Sequence, residues 1–240
     1  MEKTPIIIEN IYKSFGEKTV LDDINFEVQN NEIFGFVGLN GIGKTTLIKI
    51  IIDLLDQDHG EVKIFGKQKF LPGSRKNMAY LPEKFMPSSN LKAIEFLEFV
   101  SGFHKKKLDV NKAKILATNL DLDESALYLK VSKYSKGMTQ KLGLLGTFLS
   151  EAKLIILDEP MSGLDPTARI ALKKQLINYQ KAGNTIFFSS HILSDIDEIC
   201  DRIAVLHDKK IVFLGKPAKF KEIHNEDNLE KAFLSEIGAK

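Results

Sequence analysis

The stretch GLNGIGKT, residues 38–45, decides the fold of this chain. It matches the phosphate-loop pattern G-x-x-x-x-G-K-[ST]. A short apolar run, EIFGFVG (residues 32–38), leads into it, and a segment with helical spacing, GKTTLIKIIIDLL (43–55), leads out of it. A strand, a glycine-rich turn and a helix in this order are the context that the motif requires. We therefore predict an α/β domain built around this loop.

The residue types of the loop fit a chain of phosphates. Gly38, Gly41 and Gly43 let the backbone curl so that successive N–H groups point inward at phosphate oxygens. The helix that begins near Lys44 adds its positive N-terminal end. The pattern predicts that Lys44 reaches the β- and γ-phosphates and that the Thr45 hydroxyl ligates Mg²⁺. The alternative is a glycine-rich turn that only caps a helix.

Two further runs are as apolar as the one before the loop: KLIILDE (153–159) and NTIFFSSH (184–191). Short, continuously apolar runs are typical of strands that are buried on both faces in a parallel sheet covered by helices. Helical patterns follow both, PTARIALKKQLINYQKAG (166–183) and SDIDEICDRIA (194–204), and Gly183 is placed to end the first. The sequence therefore predicts a mainly parallel sheet.

Polar side chains stand where these two strands end. Asp158 and Glu159 reach the carboxyl end of a buried strand, where ligands bind in open α/β sheets. Asp158 suits the carboxylate that holds Mg²⁺ beside a phosphate loop, and Glu159 suits accepting a proton from, or orienting, the attacking water. His191 ends the neighbouring run, and we expect it to contact a γ-phosphate. An acidic pair at the end of a strand is common by chance, and the phosphate loop favours its catalytic role. A lone histidine is more often structural, and its placement at the same sheet edge as Lys44 and Asp158 favours a phosphate contact.

The rest of the chain divides by pattern. Four segments combine β-branched and aromatic residues with turn residues, which predicts a flanking antiparallel β region. They are PIIIENIYKSF, KTVLDDINFEVQ, GEVKIFGKQ and RIAVLHDKKIVFLGKP. Between residues 87 and 150 helical spacing replaces the strand signals, which predicts an inserted helical subdomain. We expect one domain over residues 1–240: an α/β core of 1–86 and 151–218, a helical subdomain of 87–150, and a C-terminal tail of 219–240 without an assigned function.

Composition narrows the function classes. The chain carries 34 Lys and Arg against 32 Asp and Glu, a net charge of +2, so no nucleic-acid partner is expected. Its single cysteine, Cys200, forms no internal disulfide and the chain has no Cys/His metal spacing, which fits a reducing, cytoplasmic location. The start, MEKTPIIIEN, does not resemble a signal peptide. The most apolar segment, TLIKIIIDLL, is too short to span a bilayer.

The order of motifs resembles that of the ATP-binding subunit of an ABC transporter. GLNGIGKTT is followed by AYLPEKF in the Q-loop position, YSKGM in the signature position and LIILDEP as the Walker B strand. SGLD then fills the D-loop position and SSH the switch-histidine position. The resemblance spans nearly the whole chain, from about Ile7 to Gly215. It implies a P-loop NTPase core that binds ATP and Mg²⁺ and hydrolyses ATP.

The resemblance assigns roles that the pattern alone does not. Phe15 occupies the position where the family stacks an aromatic ring on adenine, and Asn40 and Thr46 belong to the nucleotide-binding motif. In the family two nucleotide domains meet head to tail, and each ATP lies between the phosphate loop of one chain and the signature of the other. Ser135, which is also a predicted N-cap, and Gly137 are thus implied to contact the γ-phosphate held by the opposite subunit.

Three positions depart from the family pattern. Glu83 replaces the Q-loop glutamine, and its carboxylate can still ligate Mg²⁺. Lys136 stands where the signature consensus has glycine, and it either adds positive charge near the phosphate or faces solvent. Asn31 stands where a glycine is usual, before the strand that opens at Glu32. The Glu83 and Lys136 substitutions resemble the branch that exports drugs, peptides and lipids.

The resemblance also implies partners: a homodimer or a paired similar subunit, and separate integral membrane permease subunits at the cytoplasmic face of the cell membrane. The Q-loop and the helical insert would form the coupling surface, and ATP hydrolysis would power transport, with export favoured.

The alternative is a soluble ABC-type ATPase that acts on a macromolecular partner. The ribosomal type carries two nucleotide domains in one chain, whereas this sequence has one phosphate loop. The DNA-repair type has a long coiled coil between the Walker motifs, for which the chain between Lys44 and Asp158 is too short. A kinase or a GTPase would leave the signature, the D-loop and His191 unexplained.

Overall fold

The computed structural model describes residues 3–238 and places the strand before the phosphate loop inside a six-stranded sheet. The strands are β1 (Ile6–Phe15), β2 (Lys18–Val28), β3 (Ile33–Val37), β4 (His59–Ile64), β5 (Lys67–Gln68), β6 (Met78–Leu81), β7 (Leu154–Asp158), β8 (Thr185–Ser190), β9 (Arg202–His207) and β10 (Lys210–Gly215). The helices are α1 (Lys44–Ile51), α2 (Ala93–Phe103), α3 (Val110–Asn119), α4 (Lys136–Leu149), α5 (Pro166–Lys181), α6 (Leu193–Ile199), α7 (Pro217–Ile223) and α8 (Leu229–Glu236).

The six-stranded core sheet has the order β10-β9-β3-β8-β7-β6. All neighbours from β9 to β6 run parallel, and β10 is an antiparallel edge strand. Every residue of β3, β7 and β8 is buried, because helices or the second sheet cover both faces. This burial explains why the three runs are continuously apolar. The predicted α/β fold with a mainly parallel sheet is confirmed.

A second, four-stranded sheet is wholly antiparallel and has the order β2-β1-β4-β5. It packs on the core sheet through a hydrophobic cluster that also includes α1. At the centre of this cluster Phe26 of β2 stacks on Phe34 of β3, with ring centroids 5.3 Å apart, and Phe187 of β8 lies 5.8 Å from Phe34. Burial of these rings holds the two sheets together.

Helices dominate between β6 and β7. Helices α2 and α3 pack on α4, and a short 3₁₀ turn, Glu124–Tyr128, packs on α2 and α3. A second 3₁₀ turn, Val131–Lys133, precedes α4. Helix α4 in turn lies close to the core sheet: a methyl group on Gly143 would come within 2.6 Å of the Leu81 side chain. Only glycine allows this approach, which brings the helical segment against the end of β6.

The helix ends follow local sequence signals. The Ser135 side chain caps α4 by accepting a hydrogen bond from Met138 N at 3.2 Å. Asp165 caps α5 in the same way, with Pro166 at the first helical position. Gly183, with φ of 84°, follows the last turn of α5 in the left-handed conformation, as predicted. Asn31 also takes a left-handed conformation, φ 60°, where the family usually has glycine.

Two sequence predictions are wrong. The helix predicted over residues 194–204 ends at Ile199, because Arg202 begins β9 beside β3, and the Asp201 carboxylate accepts a hydrogen bond from Ile33 N at 2.8 Å. The segment RIAVLHDKKIVFLGKP does form a hairpin, β9 and β10, but this hairpin belongs to the core sheet and not to the antiparallel region. The neighbouring strand, not the local pattern, decides which sheet a hairpin joins.

Strand β6 is a strand that the pattern did not predict. Only Leu81 of its four residues is buried, and it lies at an edge of the core sheet, so it lacks the apolar run of the central strands. In the C-terminal segment, α7 and α8 pack against α6, and Phe220, Leu229 and Phe233 are buried there.

We expect the Phe187→Ala variant to lose about 3–5 kcal/mol of folding free energy, because it opens a cavity between the two sheets. The urea midpoint, followed by circular dichroism, measures this loss. Phe99→Ala is the matched control, since Phe99 is 71% exposed. Equal midpoints for the two variants would mean that the aromatic stack does not hold the sheets together.

Candidate functional site

The phosphate loop encloses the end of a lysine side chain. Lys44 Nζ donates hydrogen bonds to Gly38 O at 2.8 Å and Leu39 O at 3.2 Å, so the ammonium lies inside the turn. Gly43 precedes α1 with φ of 125°, and a methyl group there would come within 2.9 Å of Val20. The turn between β3 and α1 therefore requires glycine at this position.

A buried hydrogen-bond network links the loop to the ends of β7 and β8. Asp158, 1% exposed, accepts hydrogen bonds from Thr45 Oγ1 at 2.8 Å and from Ser189 Oγ at 2.6 Å. Asp158 and Ser189 are partners in the parallel register of β7 and β8, so the sheet itself brings them together. A hydroxyl and a carboxylate side by side are oxygen donors of the kind that Mg²⁺ prefers.

Glu159 lies between two cationic or titratable partners. Its Oε1 forms an ion pair with Lys44 Nζ at 3.2 Å, and its Oε2 lies 2.8 Å from His191 Nδ1. The side chain is buried (8% exposed), whereas that of His191 is 42% exposed. The backbone of Glu159 is left-handed, φ 50°, a strained conformation for a residue other than glycine. A hydrogen bond from its N–H to Ser189 Oγ, 3.1 Å, helps to hold it there.

These residues surround a cavity of about 370 Å³. Its lining consists of Asn40, Gly41, Gly43, Lys44, Thr45, Thr46, Glu83, Glu159 and His191. Two predicted residues that do not line the cavity are bonded to residues that do: Asp158 accepts a hydrogen bond from Thr45, and the Gly38 carbonyl accepts one from Lys44. The structure thus gathers in one place the predicted residues of the phosphate loop, the Q-loop position, the Walker B strand and the switch histidine.

Carboxylates crowd this edge of the sheet. The pKa of Tyr80 is raised to about 12, mainly by burial, and the negative charges of Asp158 and Glu83 add to the effect. Tyr80 therefore stays neutral beside the charges of Asp158 and Glu83.

Three predicted contact residues lie outside the cavity. Phe15 ends β1 with its ring 51% exposed, and Lys13 Nζ lies 5.4 Å from the ring centroid. Ser135 and Gly137 stand at the start of α4 and do not line the cavity. The nucleotide contacts expected of these three residues therefore stay predictions.

The sequence did not lead us to predict two positioning contacts. Ser189 hydrogen-bonds both the Asp158 carboxylate and the Glu159 backbone N–H, and the pair of serines directly before His191 was the pattern that could have indicated it. Asp195, in the first turn of α6, has a side chain only 4% exposed, and it forms an ion pair with Arg169 of α5 at 2.6 Å. This pair fixes the short helix that follows His191, and a lone acidic residue in a helical pattern gives no sequence signal for it.

Comparison with known proteins identifies the class. The family model for the ABC transporter matches residues 21–162, more than half of the chain. The chain therefore belongs to the ABC transporter family, as the order of its motifs predicted. Members of this family bind ATP.

Individual relatives agree with this assignment. The lantibiotic transport ATP-binding protein SrtF of Streptococcus pyogenes is 30% identical over 231 residues, which cover 96% of each chain. An uncharacterized ABC transporter ATP-binding protein of Synechocystis sp. is 35% identical over 203 residues; these are 83% of this chain but only 57% of that protein. A solved ATP-binding subunit of an ABC transporter superposes with a TM-score of 0.86 at 28% identity, over 96% of this chain and 98% of its own.

The Ser189→Ala variant tests the network behind the loop. We expect it to lose about 1–3 kcal/mol of folding free energy, because a buried Asp158 oxygen loses its donor. Urea unfolding measures the loss, and Ser132→Ala, at an exposed serine, is the control. If Ser189→Ala unfolds at the wild-type urea concentration, the hydrogen bond to Asp158 contributes nothing to stability.

Proposed function

We propose that this chain hydrolyses ATP with Mg²⁺ and powers transport, with export favoured, through separate membrane-spanning subunits. The observation that carries the hydrolysis is the buried Glu159, held between Lys44 and His191 at the edge of the phosphate-loop cavity. The name of the SrtF relative, a lantibiotic transport ATP-binding protein, supports a role in powering transport.

The phosphate loop supplies binding and charge. Its N–H groups and Lys44 would hold the β- and γ-phosphates, for which Lys44 exchanges its bonds to Gly38 O and Leu39 O. Thr45, Asp158 and Glu83 would hold Mg²⁺, which when bound neutralises phosphate charge. Asn40 and Thr46 line the same cavity and would contact the nucleotide.

Glu159 and His191 would act on the attacking water and on the γ-phosphate. Glu159 is the candidate to orient the attacking water and accept its proton. His191 lies within 2.8 Å of Glu159 and is partly exposed at the cavity, so it can hold this carboxylate in place and contact the γ-phosphate. Once phosphates attract Lys44, the Glu159 carboxylate is released from its ion pair and becomes available to water.

A second nucleotide-binding subunit would complete the site. Phe15 is exposed, as a ring that stacks on adenine must be. Ser135 and Gly137 stand at the N-terminus of α4, outside the lining of their own chain's cavity. We propose that they contact the γ-phosphate held by an identical or similar subunit. The chain would then work as a dimer at the cytoplasmic face of the membrane.

None of the helices described over residues 3–238 is long and apolar enough to cross a membrane.

A groove between the core sheet and the helices offers a place for a permease. A cavity of about 700 Å³ lies where α2, the end of α4 and the start of β6 meet. Phe103 (79% exposed), Leu54 (69%) and Leu71 (42%) line it together with Arg75 and other basic residues. We propose that a cytoplasmic segment of the permease docks here.

Strand β6 connects this groove to the nucleotide cavity. Met78 and Tyr80 line the groove, β6 ends at Leu81, and Glu83 lines the nucleotide cavity two residues later. Movement of a docked segment would therefore reach Glu83 through one short strand. This connection supports a coupling role for the Q-loop and for the helical subdomain, which we take as residues 87–150.

The Glu159→Gln variant tests hydrolysis. We expect it to keep ATP binding but to lower steady-state phosphate release by about 10²–10⁴-fold, because an amide cannot accept the proton of water. Size-exclusion chromatography with ATP should then show an accumulated dimer.

Glu98→Gln, at an exposed carboxylate of α2, is the matched control and should keep the wild-type rate. Turnover near wild type in Glu159→Gln would remove Glu159 from the catalytic role.

Phe103→Ser tests the docking groove. We expect weaker binding to membranes that contain the permease, by about tenfold, since a buried aromatic anchor typically contributes more than 1 kcal/mol to an interface. Phe99→Ser is the matched control: it lies one turn earlier on α2, is 71% exposed and does not line the groove. Equal binding of both variants would contradict docking in this groove. Retention on a cytosolic complex rather than on membranes would favour the soluble ABC-type ATPase.

A further inference from the structure

The N-terminal turn of α4 touches the segment that follows Glu159 in the same chain. Gln140, 5% exposed, donates a hydrogen bond from Nε2 to Pro160 O at 3.3 Å. Pro160 is the residue directly after Glu159, so this hydrogen bond ties α4 to the neighbour of the Walker B glutamate.

A second contact involves Lys136, the residue that departs from the family signature. Its side-chain carbons lie over Gly163, which has φ of 77°. A methyl group on Gly163 would come within 3.1 Å of Lys136 Cε, 3.4 Å of Cδ and 3.5 Å of Cγ. Three successive carbons therefore pack along the bare backbone of Gly163, as the stem of an exposed lysine often does on an apolar surface.

The two contacts come from one face of the helix. Lys136 and Gln140 are four residues apart, so their side chains point the same way. They meet segment 160–164, which is folded by backbone hydrogen bonds from Ser162 N to Glu159 O (3.0 Å) and from Leu164 N to Met161 O (3.2 Å). We call this pair of contacts, Gln140 with Pro160 and Lys136 with Gly163, the α4 contact.

We propose that Lys136 is a positioning residue that acts through its hydrocarbon stem, and that the α4 contact makes the signature end of α4 and the Glu159 segment move as one unit. The proposal rests on the proposed function, in which Ser135 meets the nucleotide of the other subunit and Glu159 acts on the chain's own. Closure of the signature on one ATP would then set the position of Glu159 at the other, which couples the two sites.

The competing role for Lys136 is electrostatic, with its ammonium on the γ-phosphate of the other subunit. The two roles need different parts of the side chain. Lys136→Met keeps an unbranched stem of similar length without the charge, and Lys136→Ala removes both stem and charge while retaining high helix propensity. The two variants are thus matched in charge and differ only in the stem.

The experiment compares steady-state ATP hydrolysis of the dimeric wild type, Lys136→Met and Lys136→Ala over a range of ATP concentrations. We expect Lys136→Met to stay within about twofold of the wild-type kcat and to keep its Hill coefficient. Lys136→Ala should lower kcat by about fivefold at little-changed KM, with the Hill coefficient falling towards one, because coupling between sites typically corresponds to a factor of this size or more. Equal loss in both variants would overturn the proposal in favour of the charge, and no loss in either would leave Lys136 without a positioning role.

Amide hydrogen exchange supplies a readout that does not depend on hydrolysis. We expect the amides of Ser162 and Leu164 to exchange faster in Lys136→Ala than in Lys136→Met, since only the first loses the contact with Gly163. Equal exchange rates would overturn the stem contact. If the wild type hydrolyses no ATP, the proposed function fails, while the exchange comparison still decides whether the stem holds the segment.

Discussion

The parallel register of three buried strands is the constraint on which the rest of the structure depends. Strands β3, β8 and β7 are adjacent, so Val37 pairs with Ser190 and Asp158 with Ser189 at a common edge of the sheet. The chain must leave all three strands at this edge, and each exit carries chemistry: the phosphate loop after β3, Glu159 after β7 and His191 after β8. A shift of one residue in this register would break these pairs and separate Asp158 from Ser189.

Few groups compensate the two carboxylate charges at this edge. Each Asp158 oxygen accepts a hydrogen bond from one hydroxyl, whereas Glu159 has an ion pair with Lys44 and a contact with His191. Glu159 also carries the strained backbone, which the structure tolerates because Ser189 binds its N–H. Of these two carboxylates, Glu159 is the one that lines the cavity. In the proposed mechanism a phosphate would draw Lys44 away, which would leave this carboxylate free to contact water.

Two outlying surfaces connect to this edge by short paths, one along a strand and one through non-covalent contacts. Strand β6 runs from the groove beside Phe103 to Glu83, and the α4 contact runs from the signature end of α4 to Pro160 and Gly163. The approach of α4 to β6 requires glycine at Gly143, and Gly163, with φ of 77°, leaves room for the Lys136 stem. The helical segment thus touches the core where it can influence the nucleotide edge, and its packing serves communication as well as stability.

The sequence by itself determined the phosphate loop, the three central strands and the identity of the residues at their ends, because those features follow from local spacing and from burial on both faces. It also determined the caps at Ser135 and Gly183, which depend on neighbouring backbone alone. Tertiary structure decided the rest. Strand β9 joined the core sheet and β6 became a strand because partners distant in sequence were there to pair with them. Likewise Ser189 and Lys136 acquired their contacts from segments that only folding brings near, Asp158 and Gly163, and no local pattern encodes a neighbour of that kind.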